Sequence, residues 1–193
     1  MDIKILSKKT LSQWKYLLQK VAYQYTDRHN QIKKAEREVY NRGDGAALLL
    51  YNKERQSVIL IRQVRLPVYL NRIEDKMLIE VCAGTLDNDD PETCVRRESE
   101  EETGYRVSEV KKVFEAYMSP GAVTEKIHCF IGAYSSESKV SDGGGLEAEH
   151  EEIEVFEISF LTAYEMIGSG EIKDAKTIML LQYAFINRIF EAK

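Results

Sequence analysis

Three glutamates, Glu98, Glu101 and Glu102, stand at helical spacings in the segment Arg97-Glu98-Ser99-Glu100-Glu101-Glu102-Thr103-Gly104-Tyr105. Positions four apart on an α-helix lie one turn above each other, so Glu98 and Glu102 share a face and Glu101 sits at its edge. Like charges so placed repel by roughly a few tenths of a kcal/mol per pair. A solvated acidic face tolerates that cost, whereas a hard divalent cation, which takes oxygen ligands, offsets it. The spacing alone fits both readings; the flanking residues decide between them.

Upstream, Leu78-Ile79-Glu80-Val81-Cys82-Ala83-Gly84 reads as a strand running into a glycine turn. Thr85 to Glu92 then carries the start signals of a helix. Asp90 is a good N-cap, Pro91 suits the first helical position because its missing N–H would be unpaired there, and Glu92 faces the positive end of the helix dipole. Gly104 suits the left-handed residue that ends a helix. Strand, glycine turn and acidic helix therefore form one unit, with the carboxylates near the helix end.

This unit resembles the signature of the Nudix hydrolase family: a glycine, five residues, Glu, seven residues, then Arg-Glu-apolar-x-Glu-Glu-x-Gly-apolar. Gly84 takes the glycine position, Asp90 falls where the first Glu is expected, and Arg97, Glu98, Glu101, Glu102, Gly104 and Tyr105 fill the rest. Two departures stand out. The run between Asp90 and Arg97 is one residue shorter, and Ser99 replaces the usual apolar residue, which weakens the packing expected under the helix. Further segments resemble the GDP-mannose pyrophosphatase subgroup over nearly the whole chain: Arg37 to Gly43, Val58 to Arg65, Tyr117 to Gly121 with Thr124-Glu125, Gly143 to Glu147, and Gly170 to Thr177. The ADP-ribose pyrophosphatase type shares the N-terminal addition and the Ser-Pro-Gly loop, so the choice of nucleotide stays open.

The resemblance implies magnesium-dependent hydrolysis of a nucleoside diphosphate sugar, GDP-mannose first, to GMP and mannose 1-phosphate, with manganese as a substitute ion. An ADP-ribose pyrophosphatase is the second reading. A Nudix-like module that binds nucleotide without cleaving it is the third, and retention of every carboxylate argues against that one. Magnesium keeps several waters and needs two or three protein oxygens. Glu98 and Glu102 are the side-chain ligands, and the resemblance adds the backbone carbonyl of Ala83. Glu101 assists, by binding a second ion or orienting one through water, and Arg97 holds the carboxylates in place.

A second acidic cluster, Glu147 to Glu152, follows the flexible Gly143-Gly144-Gly145 run. A glutamate brought over the metal by loop closure can take the proton of the attacking water. Resemblance makes Glu151 a metal ligand and Glu149 the base, with the two roles exchangeable because the loop aligns in two registers; His150 is given no role. Arg65 ends a strand, where its planar fork can meet a phosphate bidentately. Arg37, Glu38, Glu125 and Lys176 match substrate-contacting positions of the subgroup, and Gly84 joins the substrate-binding set.

Composition is compatible with an enzyme of this kind. A chain of 193 residues with 44% hydrophobic content can bury one substantial core. Cys82, Cys94 and Cys129 have no ligand spacing and give no disulfide framework, which suits a reducing, cytoplasmic setting. No leader pattern or membrane span is read, and a net charge of -5 without a basic stripe argues against a nucleic-acid polymer as partner. The expected fold is α/β: an α/β/α sandwich on a mixed sheet over residues 44–193, preceded by an antiparallel hairpin extension over residues 1–43. Two strands alone are marginal in water, so the hairpin is expected to pack on a second subunit in a homodimer.

Overall fold

Runs of Val, Ile and Leu without alternation mark strands covered on both faces, and the computed structural model, which describes residues 2–71, 77–149 and 151–191, buries Ala46 to Leu50 and Val58 to Ile61 throughout. These belong to β4 (Gly45–Asn52) and β5 (Ser57–Gln63), the centre of a mixed sheet. Its order is β10-β5-β4-β9-β8, with β8 at Val110–Tyr117, β9 at Lys126–Ala133 and β10 at Glu154–Ser159. The β4–β9 pair is parallel; β10 and β4 run antiparallel to β5. Among the described residues four α-helices accompany the sheet: α1 (Leu66–Asn71), α2 (Pro91–Glu98), α3 (Phe160–Ser169) and α4 (Ala175–Ile186). Ala46, Leu48 and Leu50 of β4 pack with Cys94 and Val95 of α2, so by strand alternation Ala47 and Leu49 face the opposite layer. The expected α/β/α class with a mixed sheet is thus what forms.

The single strand read from Leu78 into the Gly84 turn is in fact two. Glu80 of β6 (Leu78–Glu80) pairs with Ile61 of β5, whereas Cys82 of β7 (Cys82–Thr85) pairs with Leu48 of β4. Val81 lies at the change of partner, and its N–H donates instead to Thr177 Oγ1 of α4 at 2.8 Å. One short segment therefore sends Glu80 and Ala83 into different parts of the same neighbourhood.

The acidic helix starts as expected: Asp90 Oδ1 accepts from the N–H groups of Glu92 (3.0 Å) and Thr93 (3.2 Å). Its last turn, Ser99–Thr103, widens to a π-helix, and Gly104 closes it at φ 76°. Ser99, placed where an apolar residue is usual, is fully buried and satisfied, because its hydroxyl donates to the Tyr105 carbonyl at 2.7 Å. The Thr103 hydroxyl in turn donates to the Ser99 carbonyl.

By its contacts the chain divides into two compact units, Met1–Asp44 with Tyr117–Lys126, and Gly45–Ala116 with Ile127–Lys193. The first is built on an antiparallel sheet of β1 (Ile3–Gln13), β2 (Leu17–Thr26) and β3 (Ile32–Asn41). Asp27 shapes the β2–β3 turn by accepting from the N–H groups of His29 and Gln31. The hairpin is the one expected, but β1 makes it three-stranded. Every residue of β1 is exposed, so no buried face imposes the alternation by which a strand is recognised. Residues 117–126 join this unit through Tyr40 N–H to the Ala122 carbonyl (2.8 Å) and Thr124 N–H to the Tyr40 carbonyl (3.0 Å). Among the described residues no helix is long and apolar enough to cross a membrane.

Candidate active site

Glu98, on the last turn of α2, and Glu102, on the π turn, both face the β7 turn. Glu102 is only 2% exposed, and its Oε2 accepts from the Ala83 N–H at 2.9 Å. Glu98 lies directly over Gly84: a Cβ built there would stand 1.9 Å from Glu98 Oε1 and 2.1 Å from its Cδ. Only glycine leaves room for that carboxylate. Gly84→Ala is accordingly expected to push Glu98 aside and lower kcat by about a hundredfold, the order found for small displacements of aligned groups, while the melting temperature changes little. Steady-state kinetics beside a thermal melt checks this.

Arg97 binds the carboxylates together. Its Nη1 lies 2.8 Å from Glu101 Oε2 and 3.0 Å from Glu98 Oε1, and its Nε is 3.4 Å from Asp89 Oδ2. Burial, Arg97, and the charges of Glu101 and Glu151 together set the Glu98 carboxyl at about 7. Burial drives Glu102 up to about 8; its Ala83 hydrogen bond opposes this, and the charges of Glu98 and Glu151 add to it. Acids whose proton affinity is raised by burial and by one another's charge make a site that a divalent cation would relieve. The donor set is thus of oxygen type and suited to a hard divalent cation, although no three acids, His or Cys of the described residues already stand in ligand geometry.

Both acids hold a proton more tightly in the fold than their ordinary value of 4.5, so folding is favoured below that pH and loses stability as pH rises toward 7 and 8. The metal-free protein should therefore melt at a lower temperature at pH 8 than at pH 5, and added magnesium should reverse the loss at pH 8. Thermal melts across that range, with and without the ion, make the check.

Glu151, on the segment after the glycine run, lies near both acids. Its Oε2 accepts from the Leu146 N–H at 3.2 Å, and its charge reaches both Glu98 and Glu102. The glycine run before it differs from the flexible segment expected. Gly144 N–H donates to the Glu102 carbonyl (2.9 Å) and Gly145 N–H to the Glu101 carbonyl (3.1 Å), so the run caps carbonyls at the end of the π turn. The acidic loop is thereby anchored to the helix that carries the other acids. Glu149 ends a 3-10 turn over Glu147–Glu149; its side chain and His150 lie outside the described residues.

Two cations complete this neighbourhood. Arg65 Nε donates to Glu80 Oε2 at 2.7 Å, and Lys176 Nζ lies 2.5 Å from Glu80 Oε1 and 3.0 Å from Asp174 Oδ1. Burial opposes the Lys176 charge, but Glu80 and Asp174 outweigh it and hold the ammonium protonated. Arg65 also feels the charge of Glu102. Sequence reasoning missed Glu80 and Asp174. The available signal was an acid inside the apolar run Leu78 to Val81, since a buried carboxylate requires partners.

Arg37, Glu38 and Glu125 belong to the first unit. Arg37 and Glu38 lie exposed on β3, with Arg37 Nη1 on the Glu36 carbonyl at 2.8 Å. Glu125 pairs with Arg42 Nη1 at 3.3 Å, and the Arg42 guanidinium lies over the Tyr16 ring.

A family model described as NUDIX domain matches residues 41–179. The chain is also similar to several proteins along nearly its whole length. A protein of Salmonella arizonae is 49% identical over 188 residues, 97% of each chain. One of Salmonella typhimurium is 51% identical over 181 residues, 94% of each chain, and one of Cronobacter sakazakii is 48% identical over 191 residues, 99% of each. Each of the three bears the name GDP-mannose pyrophosphatase.

Proposed function

Because the chain belongs to the NUDIX domain family and is a Nudix hydrolase, we propose that it cleaves the pyrophosphate of GDP-mannose to GMP and mannose 1-phosphate with a divalent cation, magnesium by preference and manganese as a substitute. The observation that carries the proposal is the packing of Glu98 onto Gly84 with Glu102 on the Ala83 N–H. This brings two acids and a backbone turn together in the strand, loop and helix that the family signature requires. The names of the near full-length relatives supply the choice of substrate.

Glu98, Glu102, Glu151 and the Ala83 carbonyl would hold the cation. When bound, it neutralises charge on the phosphoryl oxygens and makes the departing phosphate a better leaving group. Arg97 keeps Glu98 and Glu101 oriented through its two short contacts. Glu149 or Glu151, on the anchored loop, takes the proton of the attacking water. Arg65 and Lys176 meet the substrate phosphates, and Gly84, whose missing side chain admits Glu98, is assigned with them to the substrate. Arg37, Glu38 and Glu125 are assigned to the rest of the nucleotide sugar.

The first unit acts in this reading as the dimerising extension. Its exposed Ile3, Ile5, Leu6, Leu11 and Ile32, with Trp14 95% exposed, supply apolar surface for a second copy of the chain. Three free cysteines support a reducing cytoplasmic location. A panel of nucleoside diphosphate sugars with product identification tests the substrate. GMP and mannose 1-phosphate from GDP-mannose, at a kcat/KM above that for ADP-ribose, is the expected result; preferential cleavage of ADP-ribose would move the assignment to that pyrophosphatase type.

A further inference from the structure

We propose that Glu80 is a positioning residue, whose single buried carboxylate fixes Arg65 and Lys176 as one preorganised clamp for the substrate phosphates. The inference rests on the reading of those two cations as substrate ligands. Three separate elements meet on this one side chain. Arg65 follows β5, Glu80 ends β6, and Lys176 lies in the first turn of α4.

The two carboxylate oxygens are divided between the cations, Oε2 to Arg65 Nε and Oε1 to Lys176 Nζ. The Glu80 side chain is 3% exposed, whereas that of Arg65 is 39% exposed. Because Nε takes the bond to Glu80, the terminal Nη groups remain available, and among the described residues they have no other partner. A guanidinium held by Nε presents its outer fork in a fixed plane, the geometry that suits a phosphate. Lys176 has three N–H donors and directs two of them at Glu80 and Asp174, which leaves one.

The anchorage continues into the backbone. Asp174 Oδ2 accepts from the N–H (3.0 Å) and hydroxyl (2.6 Å) of Thr177, whose Oγ1 accepts the Val81 N–H. The start of α4 is thus tied to the residue after Glu80. Stability alone does not call for such a cluster, since buried ion pairs can be replaced by apolar residues of similar volume at little or no loss. Two cations side by side would also repel without the acid between them. A bridging carboxylate lets both wait in place before the substrate arrives, so that ordering is not required on binding.

The test is steady-state kinetics on the magnesium-loaded protein for Glu80→Asp, Glu80→Gln, Arg65→Lys and the double variant Glu80→Gln/Arg65→Lys, each with a thermal melt. Aspartate keeps the charge, and with it the fold, but is one methylene too short to span both cations. Both Glu80 variants are expected to raise KM for GDP-mannose about tenfold, with the magnesium activation constant held within about twofold. Arg65→Lys should raise KM similarly, because its one ammonium cannot both pair with Glu80 and offer a fork. The double variant should be worse than Arg65→Lys only by the share of the Glu80 effect that runs through Lys176, and so fall short of the product of the two single effects, because part of what Glu80 does passes through Arg65. A purely structural Glu80 would lower the melting temperature without this split. Wild-type KM in folded Glu80→Asp, with KM raised in Arg65→Lys, overturns the positioning role alone. Wild-type KM in Arg65→Lys as well overturns the reading of Arg65 as a substrate ligand and the clamp with it.

Discussion

Glu102→Gln is expected to reduce kcat for the proposed GDP-mannose hydrolysis by about a thousandfold, the order of loss when one preorganised electrostatic group is removed from an active site. The substitution is nearly isosteric, and the amide oxygen can still accept the Ala83 N–H that Glu102 Oε2 now accepts. What it removes is the negative charge that would hold the cation. The same charge is unwelcome in the metal-free fold, where burial and the neighbouring Glu98 and Glu151 raise the Glu102 carboxyl to about 8. Above that pH the variant should therefore melt no lower than the wild type, and activity and stability should move in opposite directions. Rates beside thermal melts at pH 8 to 9 read both. A nucleotide-binding module without catalysis would show no rate to lose.

Gly104→Ala should be the most damaging single-methyl addition to the fold around the site. Its φ of 76° is left-handed, which costs an L-residue roughly 1–2 kcal/mol. The added Cβ would also stand 2.2 Å from the Ser141 carbonyl oxygen and 2.8 Å from the Gly143 nitrogen, so backbone rather than a mobile side chain must yield. Together these predict a loss above about 2 kcal/mol, or a melting temperature lower by about 4–8 °C for a chain of this size. Activity should fall as well, because the displaced segment roots the acidic loop on the helix end. Gly170→Ala is the control. Gly170 has a similar φ of 80° but nothing within 4 Å of the built Cβ, so it should lose only the left-handed term and keep full activity.

The sequence was most informative where a local physical rule determines the structure. Asp90-Pro91 and Gly104 bracket the acidic helix because capping chemistry is local, and Glu98 and Glu102 meet Ala83 and Gly84 because the strand, turn and helix are contiguous. The π turn was not legible, since its bonds depend on Ser99 turning inward to the Tyr105 carbonyl and on the glycine run capping the open carbonyls. β1 was missed for want of a buried face. Gly143 to Gly145 read as flexible from composition, whereas tertiary hydrogen bonds anchor them. Glu80 is the sharpest case: its partners lie 15 positions before it and 96 after it, and no periodicity links residues so far apart.

In the proposed reaction the acids gathered at Ala83-Gly84 hold a divalent cation without which GDP-mannose is not cleaved. The initial rate of GMP release from GDP-mannose by chelator-stripped protein, followed as free magnesium is raised, tests this. No release is expected without the ion, and a saturable return of activity as it is added. Release at full rate in the presence of excess chelator would contradict it.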